Sequence, residues 1–435
     1  MMRFCSISAR FAAVLLTVAV LSSCGKIRGS REDGYGKVMI LYAAGYNSLS
    51  SYMREDLEDL RSGYVPSSKS NDALILISKL PESNGNYLTK TSPCIIRLSS
   101  KGSGKKAAVV MDTLKVLDPG TVLADAGTTR RCLEYVRDEF PAKSYGLVVS
   151  SHATGWLPNG YFDNSSAYEH GALSGRMDRS AVPAGLPVYV EREHDPSLPM
   201  TKSITQEVET IEGRKYSREM GIEEFASAIP MHLDYLLFDA CLMGGIEVAY
   251  AFRKVADVIG FSQTEVLADG YDYTRISSHL LGQANPDPKT VCTDFFELYD
   301  QKEGSMRSAT ISLVDCTKVE DLARTCAGIF ERYRDGIGKV QQSRVQAYFY
   351  NPAHHWHYDL LDIVAKAGAS DQELEELERA IDASLLYKAA TPSFLGLPIN
   401  VFSGYSMYLP SAGSSFLDNF YMTLSWNEAT KLVTR

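Results

Sequence analysis

Cys241 and His152 each stand at the end of an apolar run of strand length. Residues 145–151, Tyr-Gly-Leu-Val-Val-Ser-Ser, lead straight into His152, and residues 233–238, Leu-Asp-Tyr-Leu-Leu-Phe, lead into Asp239, Ala240 and Cys241. Open α/β sheets bind ligands at the carboxyl ends of their strands, where loops converge and helix N-termini point at the ligand. Cys241 is followed by Leu242, Met243, Gly244 and Gly245 and then a helical pattern over 246–254, which brings its sulfur near a helix N-terminus, where partial positive charge favours the thiolate. A thiolate beside an imidazole is the minimal kit for acyl transfer: the sulfur attacks a carbonyl, and the ring takes the thiol proton and later gives one to the leaving amine. The backbone N–H groups of Cys241 and Ala153 are the expected oxyanion donors. Taken singly, each residue also has an ordinary reading, since cysteines are commonly buried packing groups and histidines after strands are often loop residues.

The elements that must position this pair follow the alternation expected of a parallel or mixed sheet covered by helices. Buried strands are predicted over 38–43 and 73–77 with a charged helix over 53–61 between them, a hairpin or meander over 94–98 and 107–117, and a helix over 129–140. Further on, a helix over 217–229 precedes the strand ending at Cys241, and strands over 258–262 and 309–314 follow it. Residues 157–216 are rich in Gly, Pro and Ser with poor periodicity and read as a surface insertion. Residues 336–435 hold an acidic helix near 371–389 and an apolar stretch over 402–409, and read as a C-terminal extension packed on the sheet. The domain division is then a catalytic domain over 37–335 with its insertion, followed by that extension.

The two site segments, Ser151-His152-Ala153-Thr154-Gly155-Trp156 and Phe238-Asp239-Ala240-Cys241-Leu242-Met243-Gly244, strongly resemble the active-site motifs of the clostripain family of cysteine peptidases, relatives of gingipains, legumains and caspases. The resemblance covers roughly 37–273, including residues 38–49 and 263–273, with fainter echoes at 404–410 and Trp426. It implies a caspase-like three-layer α/β/α sandwich around a mostly parallel sheet. It also implies a Cys/His dyad of Cys241 as nucleophile and His152 as base and acid, and cleavage of peptides or proteins after Arg or Lys. By the same resemblance Asp269 aligns with the acid at the floor of the primary specificity pocket, where a carboxylate grips a guanidinium with two charge-assisted hydrogen bonds; an Asp-Gly turn is its alternative reading. Asp239 either lines the same pocket or satisfies backbone groups beside the nucleophile. Family members commonly carry glycines directly after the histidine, where this chain has Ala153 and Thr154. Some mature by cutting themselves between the two strands; the insertion offers Arg176, Arg179, Arg192 and Lys202, and no local motif selects one. Some depend on calcium, but no EF-hand-like loop is present, so no cofactor is assigned.

The chain of 435 residues is 45% hydrophobic and 22% charged, with a net charge of −9, a globular composition without the clustered basic residues that grip a phosphate backbone. Nucleic acid is therefore not an expected partner. Arg3 and Arg10 precede an apolar run over 11–21 that is too short to span a bilayer, followed by Leu21-Ser22-Ser23-Cys24-Gly25. This reads as a signal peptide over 1–23 and resembles a bacterial lipobox, with Cys24 lipidated, residues 24–36 as a tether, and the protein anchored in the cell envelope, at the outer membrane. The remaining cysteines, Cys94, Cys132, Cys241, Cys292, Cys316 and Cys326, match no zinc spacing, although an exported protein has access to disulfides. His354, His355 and His357 lack a Cys or Glu to complete a metal set, so a structural role is the expectation and no metal is assigned. Two rival functions remain beside the basic-specific peptidase: the same dyad with a non-basic pocket, and an idle caspase-like scaffold that binds in the envelope.

Overall fold

The computed structural model describes residues 34–44, 49–79, 92–102, 108–169, 197–202, 207–211, 214–351 and 355–434. Residues 1–33, with Cys24, the basic candidates Arg176, Arg179 and Arg192, and His354 lie outside the described residues. In chain order the elements are β1 (Tyr35–Ala43), α1 (Ser50–Ser62), β2 (Ala73–Ser78), β3 (Cys94–Lys101), β4 (Ala108–Val116), α2 (Ala126–Glu139), β5 (Ala142–Ser150), α3 (Tyr161–Glu169), β6 (Glu207–Ile211) and β7 (Arg214–Arg218). There follow α4 (Ile222–Ala228), β8 (Leu233–Asp239), α5 (Ile246–Phe252), β9 (Ala256–Phe261), α6 (Tyr273–Leu280), α7 (Pro288–Asp300), β10 (Thr310–Asp315) and α8 (Val319–Ile337). The chain closes with β11 (Tyr358–Asp359), α9 (Leu360–Lys366), α10 (Asp371–Ser384), β12 (Leu385–Ala390), α11 (Ser415–Tyr421) and α12 (Ser425–Thr430).

Nine strands form one sheet in the order β12-β10-β9-β8-β5-β1-β2-β3-β4. Its centre, β2-β1-β5-β8-β9, is parallel, and two antiparallel strands close each edge. The central strands are buried on both faces, which is why they read as unbroken apolar runs rather than alternating ones. The edge strand β4 is half exposed. The helices sort into two layers: α1 packs with α6 and α6 with α7 on one face, while α2, α4 and α5 pack in sequence on the other, extended by α8, α10 and α12. The result is the three-layer sandwich implied by the sequence.

Two elements differ from expectation. The helix foreseen over 217–229 is shorter, α4, because the alternating residues before it pair as the hairpin β6–β7. Residues 385–389, foreseen as the end of an acidic helix, leave it after Ser384 and form the edge strand β12 on β10. The C-terminal part therefore belongs to the sheet itself, and its aromatic side chains merge with the main core. The insertion also starts inside: Tyr161 and Phe162 of α3 are buried and meet Trp356, with ring centroids at 5.3 and 5.4 Å.

Candidate active site

Ser150 of β5 and Asp239 of β8 are register partners, so His152 and Cys241 each follow the same rung by two residues on adjacent parallel strands. Strands in a sheet lie about 4.8 Å apart, which sets His152 and Cys241 side by side at the carboxyl edge. After Cys241 the chain turns sharply: Leu242 takes φ of 58°, its N–H donates to Thr264 O at 2.9 Å, and the Gly244 N–H donates to Ser262 O at 2.6 Å. The Cys241 sulfur faces the Val266 peptide, accepting its N–H at 3.1 Å and donating to its carbonyl at 3.7 Å. Gly155, with φ of 66°, brings the loop after His152 onto this turn; a Cβ there would stand 2.5 Å from Leu242 O, so only glycine permits the approach. Both His152 and Cys241 are buried.

The His152 loop is held from below by the C-terminal part. Trp156 meets Tyr408 at 4.9 Å and Tyr421 edge-on at 5.2 Å between centroids, and His357 at 6.2 Å. His357 is wholly buried, and burial pushes its pKa down to about 3 despite a bond with the Thr154 backbone. It is therefore a neutral packing group. Among the described residues no three His, Cys, Asp or Glu side chains converge in a way that could hold a metal ion. The six described cysteines form no disulfide.

On the α1 and α6 face of the dyad lies an acidic pocket, and it is filled by the chain's own Lys202. The Lys202 backbone N–H donates to Val266 O at 2.7 Å, and Ala268 N–H donates to Met200 O at 2.9 Å, so Met200–Thr201–Lys202 runs as an antiparallel strand along residues 266–268, with Thr201 opposite Leu267. The Lys202 ammonium, with no exposed surface, lies 2.5 Å from Asp239 Oδ2, 3.4 Å from Asp56 Oδ2 and 3.1 Å from Ser150 Oγ. Tyr273, the first residue of α6, donates its hydroxyl to the same Asp239 oxygen at 2.7 Å, and its ring lies 6.0 Å from the ammonium. Asp272 caps α6 by accepting the Thr274 N–H at 3.0 Å, fixing where Tyr273 begins. Gly270, at φ of 64°, closes the pocket; a Cβ would sit 2.4 Å from Asp239 Oδ2 and 2.6 Å from Lys202 Nζ.

Burial opposes the lysine charge, but Asp239 and Asp56 outweigh it and hold the Lys202 pKa above its ordinary value. Burial raises Asp56 to about 7; Lys202 pulls it down and Asp239 pushes it up. A buried ammonium with two carboxylates is an arrangement that survives only where the partners are paired and hydrogen-bonded.

Asp269, expected at the pocket floor, is exposed. It lies in a turn closed by the Gly270 N–H donating to Leu267 O, and the carboxylates that hold the ammonium are Asp239 and Asp56. Asp239 is the carboxylate nearest the ammonium, while Asp269 is near enough to Tyr52 and Tyr299 for its charge to act on them. Asp56 was not foreseen. It lies on the helical stripe Met53, Asp56, Leu57 and Leu60, all buried, so a charge on an apolar face was the available signal.

The sequence profile of the clostripain family matches residues 41–169 and 211–431, most of the chain. The chain belongs to the clostripain family of cysteine proteases. Among solved structures it is similar to an inactive zymogen of a C11 protease from Parabacteroides distasonis, with 26% identity over 92% of this chain and 99% of that one and a TM-score of 0.71. It shares its fold with a secreted C11 cysteine protease from Bacteroides thetaiotaomicron, iotapain, at 22% identity, 91% and 99% coverage and a TM-score of 0.68. A complex of a secreted C11 cysteine protease from that organism with an irreversible peptide inhibitor matches at 20% identity, 91% and 99% coverage and a TM-score of 0.67. No curated protein sequence matches. The clostripain-family chain is accordingly a hydrolase that acts on peptides, with its described fold and candidate dyad in one continuous core.

Proposed function

We propose that this protein is a cysteine endopeptidase that cleaves after Lys or Arg through Cys241 and His152, and that it is made as a precursor whose first substrate is its own Lys202–Ser203 bond. The observation that carries this reading is the seat of Lys202. Its backbone runs antiparallel along residues 266–268 while its side chain fills an acidic pocket beside the dyad, the posture of a substrate residue before a scissile bond. Asp239 Oδ1 is buried and has no hydrogen-bond partner among the described residues, so a bidentate arginine fork would satisfy an oxygen that the lysine leaves over.

In the reaction the Cys241 thiolate attacks the carbonyl carbon of the basic residue, His152 having taken the thiol proton. The oxyanion develops beside the N–H groups of Cys241 and Ala153, and the bond to nitrogen breaks as His152 protonates the leaving amine. Water, deprotonated by His152, then hydrolyses the thioester and restores the thiol. In the same proposal Cys24 carries a lipid that tethers the enzyme to the cell envelope. N-terminal sequencing and mass analysis of the purified protein test the self-cleavage. A new N-terminus at Ser203, lost in both Cys241→Ala and Lys202→Ala, supports the reading; cleavage elsewhere, or cleavage that persists in Cys241→Ala, refutes it.

A further inference from the structure

A second cavity opens at the dyad on the opposite face of the sheet from Lys202. Its volume is about 70 Å³, and His152 itself forms part of its wall together with Leu157, Met220, Ile222, Phe225 and Met243. A cavity of roughly 10–15 Å³ on this measure admits one water, so this one has room for a branched aliphatic side chain. Lys202 sits between α1 and α6, whereas this cavity is backed by α4 and the approach to α2. The ends of β5 and β8, carrying His152 and Cys241, lie between the two. A polypeptide whose basic residue occupies the Asp239 pocket, and whose next bond lies over Cys241, passes on to the His152 side.

We infer that this cavity receives the side chain of the residue that follows the scissile bond, and that it selects a small or branched aliphatic one. The inference rests on the basic-specific reading above. His152 must reach the leaving nitrogen to protonate it, so the residue bearing that nitrogen departs past the cavity that His152 lines. The lining is mainly apolar, with Ser151, Thr154 and Asn159 also contributing, and its Glu219 is held by donating groups: its carbonyl accepts from Asn159 Nδ2 at 2.9 Å and its carboxylate from the Gly160 N–H at 2.8 Å. An acidic side chain would therefore meet both an apolar wall and a fixed carboxylate. A glycine would leave the cavity unfilled.

The test is a set of internally quenched peptides alike up to a common Lys and differing only in the residue after it: Gly, Ala, Val, Leu or Asp. With the self-cleaved enzyme, kcat/KM is expected to be highest for Ala and Val, and about tenfold lower for Asp, the discrimination a single apolar contact supplies. Two variants move the optimum in opposite directions. Ala124 also lines the cavity: Ala124→Leu narrows it and shifts preference toward Gly and Ala, and Phe225→Leu widens it and shifts preference toward Leu. The two are independent, so poor folding of one leaves the other as the test. Rates within twofold across the set, or an order that neither variant changes, overturn the inference while leaving the Lys specificity standing. Failure to cleave any member overturns both.

Discussion

Asp56→Asn isolates the second carboxylate of the Lys202 pocket with almost no change in shape. In the folded protein Asp56 titrates near 7, raised from 3.8 chiefly by burial. A carboxyl whose folded pKa is raised holds its proton more tightly in the folded than in the unfolded chain, so its stabilising contribution is complete below about 3.8 and lost as pH rises through about 7. Between pH 5.5 and 8 that loss comes to about 2 kcal/mol. Asparagine does not titrate, so Asp56→Asn should escape it. The assay is urea unfolding at both pH values, with Cys241→Ala present in both proteins so that neither cuts itself. The fall in unfolding free energy from pH 5.5 to 8 should be smaller in the Asp56→Asn protein, by up to about 2 kcal/mol, because Lys202 responds in turn to the loss of the Asp56 charge; Glu247 contributes alike to both proteins. Equal falls in the two proteins would refute the claim that a second, largely protonatable carboxyl faces Lys202.

Other outcomes follow from the same geometry. Gly270→Ala places a methyl group 2.4 Å from Asp239 Oδ2, and should lower kcat/KM on lysyl reporters by about a hundredfold, the scale of a misplaced substrate; near-normal turnover would mean that Gly270 does not border the pocket. Glu247, wholly buried, has its pKa raised to about 7 by burial, against the Tyr408 N–H and Tyr421 hydroxyl that donate to its Oε1. Its contribution is likewise lost as pH rises from about 4.5 through 7, so Glu247→Gln should shrink the drop in Tm between pH 5.5 and 8, and an unchanged drop would contradict this. Cys241 has no exposed surface while Lys202 fills the pocket. Its alkylation by iodoacetamide, followed by peptide mapping, should be about tenfold faster in the self-cleaved protein than in an uncut Ser203→Pro variant, which keeps Lys202 in its pocket, and equal rates would show that the segment does not shield the thiol.

The parallel centre of the sheet was legible because strands buried on both faces must be written as apolar runs, and the runs ending at His152 and Cys241 are broken by a charge only at Asp234, near the start of β8. Their strand ends then placed the candidate dyad. The acidic pocket was less legible, because its parts come from places that share no local pattern: Asp56 from a charged stretch of α1, Tyr273 from the start of α6, and Lys202 from an insertion carrying four basic candidates. Asp269 fits an Asp-Gly turn as well as a pocket, and only the packing of Gly270 against Asp239 shows that the turn faces the pocket with its glycine. β12 was hidden because Leu385, Tyr387 and Ala389 continue an amphipathic helix for several residues, and only the vacant edge of β10 makes the strand preferable. β7 straddles the boundary between the insertion and the helix expected over 217–229, because alternation over five residues is too short to stand out against the helical pattern of α4 after it.

The most direct test of the account is hydrolysis of matched peptide reporters ending in Arg, Lys, Asn, Asp or Leu by the purified protein beside its Cys241→Ala and Asp239→Asn variants. The account predicts release from Arg and Lys alone, none with Cys241→Ala, and loss of the basic preference with Asp239→Asn. Release from Asn, Asp or Leu by the unaltered protein, or basic-specific release that survives Asp239→Asn, would contradict it.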